Sequence, residues 1–210
     1  MERLEILTKE ELKIVELFRN DLQGSYTIRG IMKEINKKSY SWVFHVINKL
    51  NKIGIIDVEL KGKSSICTIN LNCQFTLTYF SLLEKLRIKQ NIPIENVLEL
   101  IDSIPLIYFT FIITGSYAEG KATKKSDLDV VVLVENKEDS KKVFAILKNK
   151  GDLMIPKVHV YVFTWKEFLK MLLDKDQNYA KLIFKNRIIV FGAENYYLIL
   201  KEAIKNGFRG

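Results

Sequence analysis

Between Thr114 and Val130 the chain reads Gly115-Ser116, ten intervening residues, then Asp127-Leu128-Asp129. A Gly-Ser directly after an apolar run lets the backbone turn sharply with no side chain in the way. Free N–H groups at the start of a helix, with a hydroxyl beside them, make a cradle for phosphate. Asp127 and Asp129 stand two apart at the head of a second apolar run, Val130–Val134. A strand has a side-chain period of two, so both carboxylates face the same way. Two carboxylates on one face repel unless a cation lies between them. Mg²⁺ is the ion that partners carboxylates and nucleotide phosphates. Cradle and clamp together meet the needs of nucleotidyl transfer: an oriented triphosphate, neutralised charge and a Lewis acid at the α-phosphorus.

Positioning these residues requires strands on both sides of the motif. Leu106–Thr114 reads as a buried strand by its continuous Leu/Ile/Phe/Tyr content, and Asp127–Val134 as the next. A helix follows near Lys137–Asn149, then a strand Lys157–Phe163, with Thr164 capping a helix through Leu173. A helix over Tyr179–Phe184, a strand Arg187–Phe191 and a helix Ala193–Lys205 complete the alternation. This half is α/β (α+β) with a small mixed sheet.

The motif resembles that of the DNA polymerase beta-like nucleotidyltransferase superfamily: Gly-Ser, ten residues, Asp-x-Asp. The match is closest to the minimal nucleotidyltransferases, with Gly120, Ala122, Thr123 and Ser126 also as that group has them. The resemblance covers roughly residues 76–210, the specific motif only 115–130. It implies Gly115 and Ser116 as binders of nucleotide phosphate, and Asp127 and Asp129 as catalytic metal ligands. It also implies Mg²⁺ (or Mn²⁺) as cofactor and an NTP, ATP by expectation, as substrate. Minimal nucleotidyltransferases often act with toxin partners, so the resemblance also suggests a protein acceptor.

Two positions depart from the pattern. Active relatives complete the site with a third carboxylate on a later strand, and here Lys157-Val158-His159-Val160-Tyr161 places His159 where that aspartate is expected. Imidazole can ligate a metal or accept a proton, yet it brings no negative charge. Glu119 stands where many relatives carry arginine, with Lys121, Lys124 and Lys125 nearby to offset it. Two readings follow: a working transferase, or a DNA-binding regulator or antitoxin that binds nucleotide or partner with little turnover.

The N-terminal half follows another plan. Thr8 and Glu11 form a capping box ahead of Leu12, Ile14, Val15, Leu17 and Phe18. Thr27 caps a short second helix, and a third runs over Ser39–Lys52 with Val43, Val46, Ile47 and Leu50 at helical spacing. Gly54 stops it. Ile55–Leu60 and Ser65–Leu71 around Lys61-Gly62-Lys63-Ser64 read as a hairpin. Three helices and a hairpin make a winged helix-turn-helix, assigned to residues 1–75. The nucleotidyltransferase domain takes 76–210, with a helical connector over 76–103 broken at Asn91-Ile92-Pro93.

Charge separates the two ends of this half. Residues 26–65 hold eight cations against three anions, whereas residues 1–25 hold four against six. The positive charge falls on the second and third helices and the wing, the parts that face DNA in winged helices. Lys38, Ser39, Tyr40, Ser41, Trp42 and His45 are the expected contacts at the third helix, and Lys61 and Lys63 at the wing. Winged helices also dock protein or RNA, and Tyr40 and Trp42 could instead pack on the first helix. Double-stranded DNA is the expected partner, with a two-fold dimer matching a palindromic site.

The whole chain of 210 residues carries 33 Lys+Arg against 25 Asp+Glu, a net +8 that favours polyanionic partners. Its apolar content of 48% excludes a disordered chain, and the longest near-continuous apolar run, Ile104–Ile113, is too short to span a membrane. Cys67 and Cys73 are too few for a disulfide framework and match no zinc spacing. The opening Met-Glu-Arg-Leu-Glu lacks the layout of a signal peptide, so the expectation is cytoplasmic with no membrane association.

Overall fold

The structure is a computed structural model and describes residues 6–88 and 92–210. The opening Met-Glu-Arg-Leu-Glu and Asn91 of the expected connector break lie outside the described residues. The chain divides into two compact units, residues 1–83 and 84–210. Ten helices and seven strands are present among the described residues, an α/β (α+β) class.

In the first unit, α1 (Lys9–Asn20) begins at the Thr8 capping box: Thr8 Oγ1 accepts from Glu11 N at 3.3 Å, and Glu11 Oε2 accepts from Thr8 N at 2.7 Å. Strand β1 is only Tyr26–Thr27, and Thr27 at once caps α2 (Ile28–Glu34). Helix α3 (Tyr40–Lys52) follows, capped by Ser39, then β2 (Ile56–Lys61) and β3 (Ser64–Ile69). Ile14, Phe18, Ile31, Val43, Ile47 and Leu50 are fully buried where the three helices meet. The sheet order β1-β3-β2 completes a winged helix-turn-helix.

Pairing of Lys61 with Ser64 closes the hairpin on Gly62-Lys63 alone, a tighter turn than the four residues expected. Gly62 sits at φ +62°, the left-handed conformation that lets so short a turn follow the strands' twist. Free Cys67 is buried in β3, and burial pushes its thiol up to about 11; Cys73 is half-buried.

The second unit holds most of the connector and the mixed sheet. Helix α4 (Gln74–Leu86) crosses the division, and α5 (Ile94–Asp102) precedes β4 (Thr110–Thr114). Then come α6 (Gly115–Glu119), β5 (Leu128–Val134), α7 (Lys137–Gly151), β6 (Val158–Thr164), α8 (Trp165–Leu173), α9 (Tyr179–Lys185), β7 (Ile188–Phe191) and α10 (Ala193–Lys205). The sheet order is β6-β5-β4-β7, with β5 and β6 parallel and the other pairs antiparallel.

Strand β4 starts at Thr110, four residues later than its apolar content predicts. Thr110 pairs with Leu133 one residue before β5 ends, so 106–109 has no strand to pair with, and Ile107 and Tyr108 are exposed. Helices cover both faces. Phe111, Ile113, Val130 and Val132 pack with Val97, Val143 and Leu147 of α5 and α7. Helices α8 and α10 cover the other face.

Candidate functional site

Antiparallel pairing of β4 and β5 brings the two halves of the motif together. Thr114, the last residue of β4, pairs with Asp129. Gly115 follows at φ +64°, and a Cβ placed there would stand 2.2 Å from Asp129 Oδ2. Only glycine fits, for its conformation and for the closeness of that carboxylate.

The chain then enters α6, whose first N–H groups have no side-chain cap, because the Thr114 hydroxyl donates instead to Asn186 O at 2.9 Å. Gly120 ends α6, and a turn held by Thr123 N donating to Ser126 Oγ at 2.9 Å leads into Asp127. The ten-residue spacer is thus one short helix and one hydroxyl-pinned turn.

Parallel pairing of β5 and β6 sets Asp129 beside His159. His159 Nδ1 lies 3.4 Å from Asp129 Oδ1, and Nε2 lies 3.6 Å from Asp127 Oδ2. The imidazole therefore spans both carboxylates. Asp127 and His159 are each nearly half exposed, Asp129 less so. The cluster opens to solvent between the buried residues Leu128, Val158 and Val160.

The donor atoms are hard oxygens plus one imidazole, a chemistry that suits Mg²⁺ or Mn²⁺. Among the described residues no three His, Cys, Asp or Glu side chains are arranged to hold a metal ion by themselves. Asp127 and Asp129 are the residues here that could hold such an ion, with a triphosphate and water completing its shell.

Three residues around the cluster were not picked out from sequence. Tyr161 lies two residues beyond His159 on the same face, and its ring centroid is 4.7 Å from that of Tyr179. Burial, with Tyr161 and Asp129 adding to it, pushes the Tyr179 hydroxyl well above its ordinary range. Asn186 Nδ2 reaches Glu119 Oε1 at 3.5 Å, and Lys121 Nζ pairs with Glu119 Oε2 at 3.0 Å. The charge of Glu119 is thus answered locally. Strand alternation points to Tyr161; Tyr179 and Asn186 arrive from distant helix ends with no local signal.

Behind the site, Arg187 just before β7 is buried, its guanidinium 5.0 Å from the Tyr196 ring centre and 5.3 Å from that of Phe184. Tyr197 donates to Glu84 Oε1 at 2.6 Å in the same cluster. An apolar cavity of about 350 Å³ lies at the other end of the sheet, lined by Tyr108, Leu133, Trp165 and Leu198 among others, and contains none of the motif residues.

In the first unit, Lys38, Ser39, Tyr40, Ser41, His45, Lys61 and Lys63 are exposed. Trp42 is half-buried, with Lys37 Nζ 4.7 Å from its ring centre. Ser39 Oγ accepts from Trp42 N at 3.2 Å as the cap of α3, and Lys61 pairs with Glu59 at 3.1 Å. Phe44 was not singled out from sequence. It is exposed, with ring centroids 6.3 Å from Tyr40 and 6.0 Å from His45, giving α3 an aromatic row.

Fold and site define a protein with a winged helix-turn-helix unit and a mixed-sheet unit bearing a glycine turn and a carboxylate pair. Residues 93–190, all within the second unit, match the family model of the nucleotidyltransferase domain. No curated protein matches the chain. Among solved structures, one similar to this chain is MepR, a transcription regulator of the Staphylococcus aureus multidrug efflux pump MepA. It is 14% identical over 46% of this chain and 74% of its own, with a TM-score of 0.32. A toxin-antitoxin structure with AMP-PNP is 13% identical over 55% of this chain and 86% of its own, with a TM-score of 0.35. No helix among the described residues is long and apolar enough to cross a membrane.

Proposed function

We propose that the second unit moves a nucleoside monophosphate from an NTP, ATP in the first instance, to a hydroxyl acceptor, with pyrophosphate leaving as the α–β phosphoanhydride bond breaks, and that the first unit contacts double-stranded DNA. One observation carries the transferase reading: Gly115 and Asp129 are packed so closely that no side chain fits between them. The phosphate turn and the carboxylate then act as one rigid piece, the preorganisation that charge stabilisation requires.

Asp127 and Asp129 would hold Mg²⁺ or Mn²⁺, which when bound neutralises the triphosphate and polarises its α-phosphoryl group. The Ser116 hydroxyl and the N–H of Gly115 hold the β- and γ-phosphates. His159 offers an imidazole nitrogen to the proton of the attacking hydroxyl or to the ion. The acceptor hydroxyl belongs to a protein, a nucleic acid or a small molecule. The resemblance to minimal nucleotidyltransferases favours a protein, including a toxin partner. In the first unit, Lys38, Ser41 and His45 reach base edges and flanking phosphates with Tyr40, and Lys61 and Lys63 grip the backbone. A two-fold dimer and a cytoplasmic setting belong to the same reading.

A second reading has its own support. His159, and not a carboxylate, neighbours Asp129 on β6. Such a site binds a nucleotide yet turns over slowly, as suits a DNA-binding regulator or antitoxin. Incubation with each labelled NTP and Mg²⁺, alone and with cell extract, separates the two. Label transfer that disappears in Asp127→Asn and Asp129→Asn supports the enzyme. Metal-dependent binding without transfer supports the regulator, and no NTP binding at all refutes the enzyme and any nucleotide-binding form of the regulator.

A further inference from the structure

The first unit contains a polar cleft of about 300 Å³ lined by Thr27, Ile28, Arg29, Tyr40, Lys63, Ser64 and Ser65. Its walls come from three places in the sequence, drawn together by the pairing of Thr27 with Ile66 and of Lys61 with Ser64. The first pairing lays the start of α2 against the wing strand, and the tight Gly62-Lys63 turn brings Lys63 to the same rim. Tyr40 closes the cleft from the start of α3.

The chemistry of that lining is one-sided. Two cations and four hydroxyls face the cleft, and no carboxylate lines it. Other cations of this unit are neutralised close by: Lys37 pairs with Glu10 at 2.6 Å, Lys49 with Glu11 at 3.1 Å and Lys61 with Glu59 at 3.1 Å. No ion pair holds Arg29 or Lys63 among the described residues. The Thr27 hydroxyl accepts from Gly30 N at 3.0 Å, which leaves its own proton to donate. A planar guanidinium, an ammonium and several hydroxyl donors around a concave space match the acceptors of a phosphate group.

We propose that this cleft is a phosphate-binding seat, with Arg29 and Lys63 as its charged jaws and Thr27, Tyr40, Ser64 and Ser65 as hydroxyl donors. The phosphate comes either from the backbone of a bound duplex or from a free phosphorylated ligand. The duplex form rests on the reading of this unit as a DNA contact.

The test uses the full chain and the exposed-residue variant Arg29→Gln/Lys63→Gln, with Lys33→Gln, an exposed cation of α2 outside the cleft, as control. Affinity for a labelled mixed-sequence duplex is measured between about 50 and 200 mM salt, where each lost phosphate contact lowers the log–log slope by about one unit. Amide NMR spectra are then recorded with inorganic phosphate. For a backbone phosphate, the double variant has a slope smaller by about one to two units, an unchanged melting temperature, and a control that behaves as wild type. An unchanged slope, with phosphate shifting the amides of residues 27–29 and 63–65 in the wild type alone, assigns the seat to a free ligand. An unchanged slope with no such shifts overturns the proposal and the assignment of Lys63 to the duplex backbone, while duplex binding itself keeps the DNA reading of α3. Wild-type protein that binds no duplex at any salt refutes the DNA reading, and the phosphate titration alone then decides the cleft.

Discussion

The motif cluster of the second unit and the basic face of the first hold their charges by different means. Around Asp129, backbone pairing decides everything: Thr114 on one side, His159 on the other, and a glycine at φ +64° against the carboxylate itself. Along α3 and the wing, the side chains stand exposed on a surface whose own core lies beneath them, and several are already engaged with neighbours, as Lys61 is with Glu59. A rigid cluster fits chemistry on one bonded group, where an ångström decides the rate. An exposed, adaptable face fits a long polyanion, where summed charge matters more than any single contact. The first should therefore break at single atoms, the second only by accumulation.

The largest effect is expected behind the motif cluster. Arg187→Ala removes the buried cation that stands against the Phe184, Tyr196 and Tyr197 rings near the Glu84 charge and should cost about 3–5 kcal/mol, read by chemical denaturation. Loss of under about 1 kcal/mol would mean that the cluster around β7 does not support the sheet.

Gly115→Ala comes next. A methyl group 2.2 Å from Asp129 Oδ2, in a left-handed conformation, should cost on the order of 2–3 kcal/mol and displace the carboxylate. Melting temperature and nucleotide affinity should fall together. A variant that keeps both would show that the turn and the carboxylate are not one piece.

On the basic face, Lys38→Gln or His45→Ala should change stability by no more than about 0.5 kcal/mol, as exposed substitutions do. Duplex affinity, measured by fluorescence anisotropy, should weaken stepwise as such changes are combined. Collapse of binding on one substitution would make this face as rigid as the other.

The smallest effect concerns pH. Hydrogen bonds from Lys13, then Lys37, hold the Glu10 carboxyl down from 4.5 to about 2. Its folded value lies below its unfolded one, so the stability it lends is present above about pH 4.5 and lost as pH falls towards 2. The group is exposed, so salt should erase this dependence. A melting curve with the same acid-side slope at low and high salt would contradict it.

Much of the motif cluster was legible because its residues lie within fifteen positions and strand alternation is a local rule. The caps at Thr8, Thr27 and Thr164 were legible for the same reason: each bonds to an amide three residues on. What escaped depends on partners far along the chain. Strand β1 has two residues, too few for any period, and exists because β3 pairs with it. Residues 106–109 are apolar enough for a strand but lack one to pair with. Tyr179 and Asn186 reach the cluster only through the packing of α9 and β7. Arg29 looked like one more exposed cation until the wing closed a cleft around it.

The central claim is that Gly115, Ser116, Asp127 and Asp129 form one nucleotide site. Equilibrium binding of a nonhydrolysable ATP analogue to the full chain, with and without Mg²⁺, tests it most directly when repeated on Asp129→Asn. Metal-dependent binding that weakens at least about 100-fold in the variant is the predicted result. Binding indifferent to both the metal and the substitution would contradict it.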